Sequence, residues 1–457
     1  MRADLVPITS PPSPAGPVQT VSLAEVLGAL SYALDLTEGQ PPAHTLRSCA
    51  IGMRLAQELH LDAETRSALY YALLLKDAGC SSNSSPTAEL FGSDEHVVKR
   101  ELKITDWSRK HHAARYVFRT AGEGCSLAGR LRYVLKVAKG PADSINLFRI
   151  RCERGAGIAR QLGFPELTAS AIYALDEHWD GHGEPHGTRG EEIPLLARIA
   201  NLAQTLDVFF QQGDVSQALA VIRARSGTWF DPKLVELTRG WVDDTDWWRA
   251  LAGPQMMALV KAAEPDDRVL HIDGAGLTGV CQAFAEIIDA KSPYTFRHSS
   301  GVAAYALQVG EQLGMSAGEL QRLYRAALLH DIGKLGVSNR ILDKPGALTA
   351  DERAAIQLHA GYTFEILTRV AAFAEFAAVA AQHHERLDGT GYPWRLSGEA
   401  LTLEARIMAV ADVYEALTAD RPYRDGMSSA KALQILEHEA GVKVDADCVE
   451  ALTKSVG

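Results

Sequence analysis

The sequence predicts an all-α protein built from two tandem helical domains of one kind. Two observations carry that reading. Apolar residues recur at three- and four-residue spacing through most segments from residue 21 onward, while long strand-like alternation is scarce. The chain also repeats itself at constant offsets. His298 in "HSSGV" stands 254 positions after His44 in "HTLRS", and Asp331 in "LLHDIGKL" stands 254 after Asp77 in "LLLKDAGC". Further on, "DGTGYP" from Asp388 follows "DGHGEP" from Asp180 by 208, and "LEARIMAVADVYE" follows "LLARIANLAQTLD" by the same 208.

Taken in order, residues 1–20 are rich in proline and serine and hold no apolar run of signal-peptide length, which reads as a flexible tail. The first copy spans 21–245. The drop in offset from 254 to 208 gives this copy an insert of about 46 residues, placed roughly at 80–145. The insert contains "VVKRELKITDWSRKHHAARYVFR", with His111 and His112, read as a solvated helix face packed on its own domain and assigned no chemistry. A polar, turn-rich passage makes 246–269 a linker, and the second copy fills 270–457. Within it, Leu320, Leu323, Ala327 and Leu328 of "GELQRLYRAALLHD" share one helical face, and "DKPGALT" and "DGTGYPW" mark turns.

Composition narrows the function. With 57 acidic against 46 basic residues the formal charge is -11, which does not indicate a broad nucleic-acid surface but leaves room for a small anionic ligand in a local basic pocket. Six cysteines lie far apart without a C-x-x-C pair, so neither a disulfide framework nor a thiolate zinc site is indicated, and a reducing cytoplasm is the expected compartment. No window approaches 18 uncharged apolar residues, so no membrane span is expected.

The second copy concentrates ionisable groups among apolar residues: His298, the adjacent His330 and Asp331, His359, the adjacent His383 and His384, and Asp412. Each alone has a plain alternative, a hydrogen-bonded structural histidine or a buried ion pair. Together they form a ligand set, because a buried unpaired carboxylate such as Asp412 in "IMAVADVYEAL" calls for a cation. Nitrogen and oxygen donors without cysteine suit iron or manganese, and more than four ligands imply two divalent ions, the arrangement that supports phosphoester hydrolysis. Lys334 follows His330 by four residues, on the same helical face, where its ammonium can neutralise a phosphate oxygen.

These residues resemble those of the HD-GYP phosphodiesterases, a subgroup of the HD metal-dependent phosphohydrolases. The resemblance rests on "YTFRHS", "HDIGKLG", "ILDKPGALTADE", "HHERLDGTGYP" and "ADVYEALTADRPYR" and covers nearly all of 284–455. It implies two tandem HD-type domains, the second an HD-GYP domain. It also implies that His298, His330, Asp331 and Asp412 hold one metal and that Asp331, His359, His383 and His384 hold the other. Asp331 and Lys334 are then the catalytic pair, and Lys334, Asp388, Gly389, Gly391, Tyr392, Pro393 and Arg421 line the substrate groove. The implied activity is hydrolysis of a cyclic dinucleotide, first of all cyclic di-GMP, to linear dinucleotide or mononucleotide. A phosphohydrolase for another nucleotide and a non-enzymatic nucleotide sensor stay open.

Two departures stand out. The family often reads H-P-x-x-G at the third histidine, where this chain has "HAGYT", with Ala360 and Thr363. Members with a third metal carry a glutamate where Tyr294 stands, so two metals are expected. In the first copy the offsets match His330 to Lys76, His359 to Arg151, His383 to Leu175, His384 to Asp176 and Asp412 to Gln204. Only His44 and Asp77 persist, so this copy is expected to be metal-free and silent, with a regulatory, substrate-gripping or dimerising role. His178, His182 and His186 in "DEHWDGHGEPHG" are read as an exposed loop, since glycine and proline there prevent a regular helix.

Overall fold

Several helices begin where the sequence supplies a cap. Ser316 and Glu319 form a capping box for Ala317–Leu329, and Thr349 and Glu352 do the same for Ala350–Leu367. Asp62, Asp94 and Asp214 cap their helices by accepting backbone N–H groups. The computed structural model describes residues 21–456 except 108, 140, 266–269, 296 and 421–424, so the expected tail at 1–20 and Arg421 lie outside the described residues. Among the described residues, strand is confined to Val21–Ser22 and His271–Ile272, and the fold is all-α.

The chain divides into two compact units, Ser22–His271 and Ile272–Gly457, with Ser338–Arg340 grouped with the first. The N-terminal unit is centred on Leu23–Thr37, His44–Glu58, Ala63–Leu75, Pro141–Gln161 and Leu195–Gln212, whose Leu27, Leu30, Leu34, Ile51 and Tyr70 are buried. The segment expected as an insert holds helices Ser84–Phe91, Glu95–Ile104, Lys110–Thr120 and Leu127–Lys139. They share a core of Leu90, Phe91, Val98, Tyr116, Ala121 and Val137. The passage read as a linker at 246–269 differs from that reading where it is described. It carries most of Thr245–Ala252 and all of Met256–Ala263, with Trp248 and Val260 buried and Glu264 accepting a hydrogen bond from Tyr71. Its apolar residues give it a face to bury, which outweighs the turn signals around them.

In the C-terminal unit, His298–Gln312, Ala317–Leu329, Ala350–Leu367, Ala374–Ala381 and Leu403–Thr418 pack over Leu328, Leu329, Ile332, Phe373, Phe376 and Met408, all at most 1 % exposed. Each such side chain contributes about 1.5–3 kcal/mol by leaving water. No helix among the described residues is long and apolar enough to cross a membrane.

The two units reproduce each other's local geometry. The helices starting at His44 and His298 both follow a left-handed residue, Ala43 and Arg297. Asp35 accepts from the amide and hydroxyl of Thr45, and Asp289 from those of Ser299. A Cβ on Gly79 would lie 2.0 Å from the Arg151 carbonyl, and one on Gly333 2.0 Å from that of His359, so in both units a helix crosses a turn that only glycine permits.

Candidate metal centre

Helix ends bring the ligand candidates together. Ala317–Leu329 terminates at His330 and Asp331, Ala374–Ala381 runs out into His383 and His384, His298 opens its helix, and His359 and Asp412 lie inside Ala350–Leu367 and Leu403–Thr418. Three imidazoles are oriented in the same way. The Nδ1 atoms of His330, His359 and His383 each contact the carbonyl three residues earlier, at 2.7 Å to Ala327, 2.6 Å to Ile356 and 2.7 Å to Ala380. Such a bond places the proton on Nδ1 and leaves Nε2 as a bare acceptor.

Those acceptors face one another. His359 Nε2 and His383 Nε2 are 3.2 Å apart, and His330 Nε2 is buried without a hydrogen-bond partner. Asp331 lies between them. Its Oδ1 is 3.4 Å from His359 Nε2 and 3.7 Å from His383 Nε2, while Oδ2 is 3.4 Å from His298 Nε2 and 3.3 Å from His330 Nε2. Asp412 Oδ1 is 3.3 Å from His298 Nε2, and its Oδ2 is 3.7 Å from His384 Nδ1. Potential donor atoms of His359, His383 and His384 fall within 4.8 Å of one another, as do those of His298, His330 and Asp412. The bare Nε2 lone pairs of His359 and His383, 3.2 Å apart, repel unless a cation occupies the space, so the donor set fits divalent ions.

Electrostatics point the same way. Burial disfavours ionised Asp331, yet His330, Lys334 and His298 outweigh it and hold the carboxyl well below the usual range. Asp412 is likewise held low against burial by His298, His384 and His330. Burial drives His359 down to about 4 and His384 to about 3, and burial with the neighbouring imidazoles pushes His383 well down. Ionised carboxylates beside neutral imidazoles are the ligating forms. His298 behaves differently: burial opposes its charge, but Asp331, Asp412 and Glu415 raise it well above the ordinary value. Lys334 Nζ meets Asp331 Oδ2 at 2.5 Å, and its side chain is 19 % exposed against 1 % for Asp331, which puts the ammonium on the solvent side of the carboxylate.

The loop after His384 is only partly drawn to this centre. Tyr392 places its ring 4.7 Å from that of His384. Gly391 is required, because a Cβ would come within 2.6 Å of backbone atoms of His384, Glu385 and Arg386. Gly389 turns the chain at φ +73°, and Pro393 is half-buried. Asp388 is not brought to the centre: it is exposed and accepts from the amide and hydroxyl of Thr390, which closes its own turn.

Three residues outside the sequence-derived set matter. Glu415 Oε2 binds His298 Nδ1, Glu385 holds the loop through the amides of Trp394 at 2.7 Å and Leu396 at 3.0 Å, and Thr363 joins Gly333 N–H to the His330 carbonyl. The first two had a signal in the repeat. Asp207 and Glu177 stand 208 positions earlier and do the same work, with Asp207 on His44 Nδ1 at 2.7 Å and Glu177 on the His186 amide at 2.9 Å.

At the matching place in the N-terminal unit the protein supplies its own cations. Lys76 pairs with Asp77, Lys103 reaches Glu38 at 2.9 Å and Asp77 at 3.4 Å, and Arg151 pairs with Asp176. Glu38, Asp77 and Cys80 lie close enough to share an ion, but both carboxylates are held low, against burial, by these lysines and Arg151. In the loop expected to be exposed, His182 and His186 are exposed, whereas His178 is buried and stacked 4.1 Å from Trp229. The aromatic partner, distant in sequence, draws it inward.

Comparison with known proteins places these features in context. A family model described as HD domain matches residues 141–234 and 282–448. A 3'3'-cGAMP-specific phosphodiesterase of Vibrio cholerae serotype O1 is 43% identical over 438 residues, 96% of this chain and 95% of that protein. A cyclic di-GMP phosphodiesterase response regulator of Xanthomonas campestris pv. campestris is 44% identical over 148 residues, 32% of this chain and 39% of its own. The crystal structure of a cyclic GMP-AMP specific phosphodiesterase of V. cholerae superposes with a TM-score of 0.65 at 39% identity, covering 96% of this chain and 98% of that one.

Proposed function

The chain belongs to the HD-domain family, whose cyclic dinucleotide phosphodiesterases it is similar to, and on that premise we propose that its C-terminal unit is a two-metal cyclic dinucleotide phosphodiesterase. The observation that carries this is the set of three imidazoles with Nδ1 committed to backbone carbonyls and Nε2 aimed at Asp331. His298, His330, Asp331 and Asp412 would hold one ion and Asp331, His359, His383 and His384 the other. Support comes from the two Asp331 oxygens, which face different pairs of histidines. Nitrogen-rich ligation without sulfur favours iron or manganese. Two bound ions would supply Lewis-acid polarisation of a phosphodiester and a water acidic enough to ionise near neutral pH.

The protein's own groups do the positioning. Glu415 and the three carbonyls fix the imidazole faces, so the site needs little rearrangement to bind ions. Lys334 offers an ammonium on the solvent side of Asp331, where it can take a phosphate oxygen and stabilise charge that grows on it. Tyr392, beside His384, gives the groove an aromatic wall for a base.

For the substrate, the relative that spans both units is specific for 3'3'-cGAMP, whereas the cyclic di-GMP enzyme aligns with 32% of this chain. We therefore put 3'3'-cGAMP ahead of the cyclic di-GMP expected from the motifs, with cyclic di-GMP as the second reading. Manganese-loaded protein incubated with equal amounts of 3'3'-cGAMP, cyclic di-GMP and cyclic di-AMP, resolved by chromatography, should linearise 3'3'-cGAMP fastest, and Asp331→Ala should linearise none. Metal analysis should return two ions per chain. Loaded protein that cleaves no cyclic dinucleotide, or three ions per chain, contradicts the proposal.

A further inference from the structure

The positions that lost their metal ligands in the N-terminal unit did not close up. They border a cavity of about 390 Å³, into which Arg151, Asp176 and Gln204 project from the places matching His359, His384 and Asp412. Its other walls come partly from the inserted helices. Trp107 stacks on Phe148 at 5.4 Å and 14°, His178 stacks on Trp229 at 4.1 Å and 24°, and Trp107 stands 5.1 Å from His178, so two aromatic pairs meet around one space.

Six buried polar atoms on the lining residues have no hydrogen-bond partner; Glu38 Oε1 and Arg151 Nη2 are ion-paired with Lys99 and Asp176, which leaves Asn83 Oδ1, Gln204 Oε1, His178 Nδ1 and Trp229 Nε1. The amide oxygens ask for donors and the indole N–H asks for an acceptor, so a ligand that satisfies them carries both. The charges, in contrast, are spent. Lys103 and Lys99 are paired with Glu38 and Arg151 with Asp176, and Lys99 also donates to the Cys80 carbonyl and the Ser84 hydroxyl, so among the described lining residues no lysine or arginine is left unpaired for a phosphate. The volume lies at the small end of the roughly 300–1,000 Å³ typical of ligand pockets.

We propose that this cavity binds an uncharged planar nitrogen heterocycle with donors and acceptors on its edges, a purine base or nucleoside, packed against the aromatic wall that the Trp107–Phe148 and His178–Trp229 pairs form together. The vacated hydrolase site has become a receptor for a neutral fragment, and it discriminates against phosphorylated forms by offering them no unpaired cation.

The test is binding to chelator-treated full-length protein, so its outcome does not depend on hydrolase activity. Adenosine, guanosine and hypoxanthine are titrated by calorimetry and tryptophan quenching, with GMP as the charged counterpart. At least one neutral probe should bind one site per chain with Kd below about 100 μM, and GMP at least tenfold more weakly than guanosine. Gln204→Leu and the milder Trp229→Phe should each weaken binding at least tenfold, while Asp331→Ala leaves it unchanged. Absence of saturable binding up to about 1 mM overturns the proposal. So does binding that survives both cavity variants or is lost in Asp331→Ala.

Discussion

Removing the Thr363 hydroxyl is expected to loosen the turn that carries Asp331 and Lys334. The side chain is fully buried, accepts the Gly333 N–H at 3.1 Å and donates to the His330 carbonyl at 2.8 Å, so it clamps the chain on either side of Asp331. Thr363→Val keeps the shape and deletes both bonds. A buried amide stripped of its acceptor costs roughly 1–3 kcal/mol, and the second bond about 1 kcal/mol more, for a sum of about 2–4 kcal/mol. That converts to a roughly 30- to 1,000-fold faster exchange of the Gly333 amide, if exchange proceeds by local opening. Thr363→Ser retains the hydroxyl and loses a methyl worth about 1 kcal/mol. Hydrogen exchange and urea unfolding of both variants, in chelator-treated protein, give the comparison. If Thr363→Val protects Gly333 and unfolds as the wild type does, the clamp has no energetic meaning and the reasoning fails.

Glu415→Gln keeps a neutral acceptor for His298 but removes the carboxylate that fixes it, so metal affinity should fall about 10- to 100-fold in chelator competition; unchanged affinity would show that the carboxylate does not tune the site. Asp35 is buried with Oδ2 unpartnered, and burial raises its carboxyl to about 7 despite its bonds from Thr45. A folded-state value above the unfolded 3.8 means stability that is fully present below about pH 4 and lost as pH rises through 7. Asp35→Asn should therefore gain on the wild type across that window, by at most about 4 kcal/mol, and parallel melting temperatures from pH 4.5 to 8 would count against it.

Much of the centre was legible because its chemistry is written in residue type. Histidines and aspartates inside apolar helices have few explanations, and the repeat told which of them the first copy had exchanged. What escaped was of two kinds. Glu415 and Glu385 act on other residues and look like ordinary helix and loop glutamates, although Asp207 and Glu177 repeat them. Thr363 resolves the departure from the usual motif: its hydroxyl serves the Gly333 amide, a partnership set by how the helix Ala350–Leu367 crosses the turn and invisible at the level of spacing. The helices within 246–269 escaped for a related reason, since proline, glycine and aspartate signal turns while burial of Trp248 depends on distant partners.

The two units show how one scaffold survives with and without ions. Asp77 and Asp331 are equivalent buried carboxylates, each at most 1 % exposed, and an unpaired charge at that depth would cost several kcal/mol. In the N-terminal unit the residue at the position of His330 is Lys76, whose ammonium meets Asp77 directly, and Lys103 adds a second cation. That exchange removes a ligand and supplies its electrostatic substitute in one step. The outer supports, Asp207 on His44 and Glu177 on the loop, then persist because they hold backbone and imidazole in place whatever fills the centre. In the C-terminal unit Lys334 meets Asp331 from the solvent side, and the inner face of the carboxylate is left to neutral imidazoles. The C-terminal unit gathers bare imidazole nitrogens on the inner side of Asp331 where the N-terminal unit sets lysines around Asp77, which is why chemistry that requires ions is assigned to the first and a neutral ligand to the second.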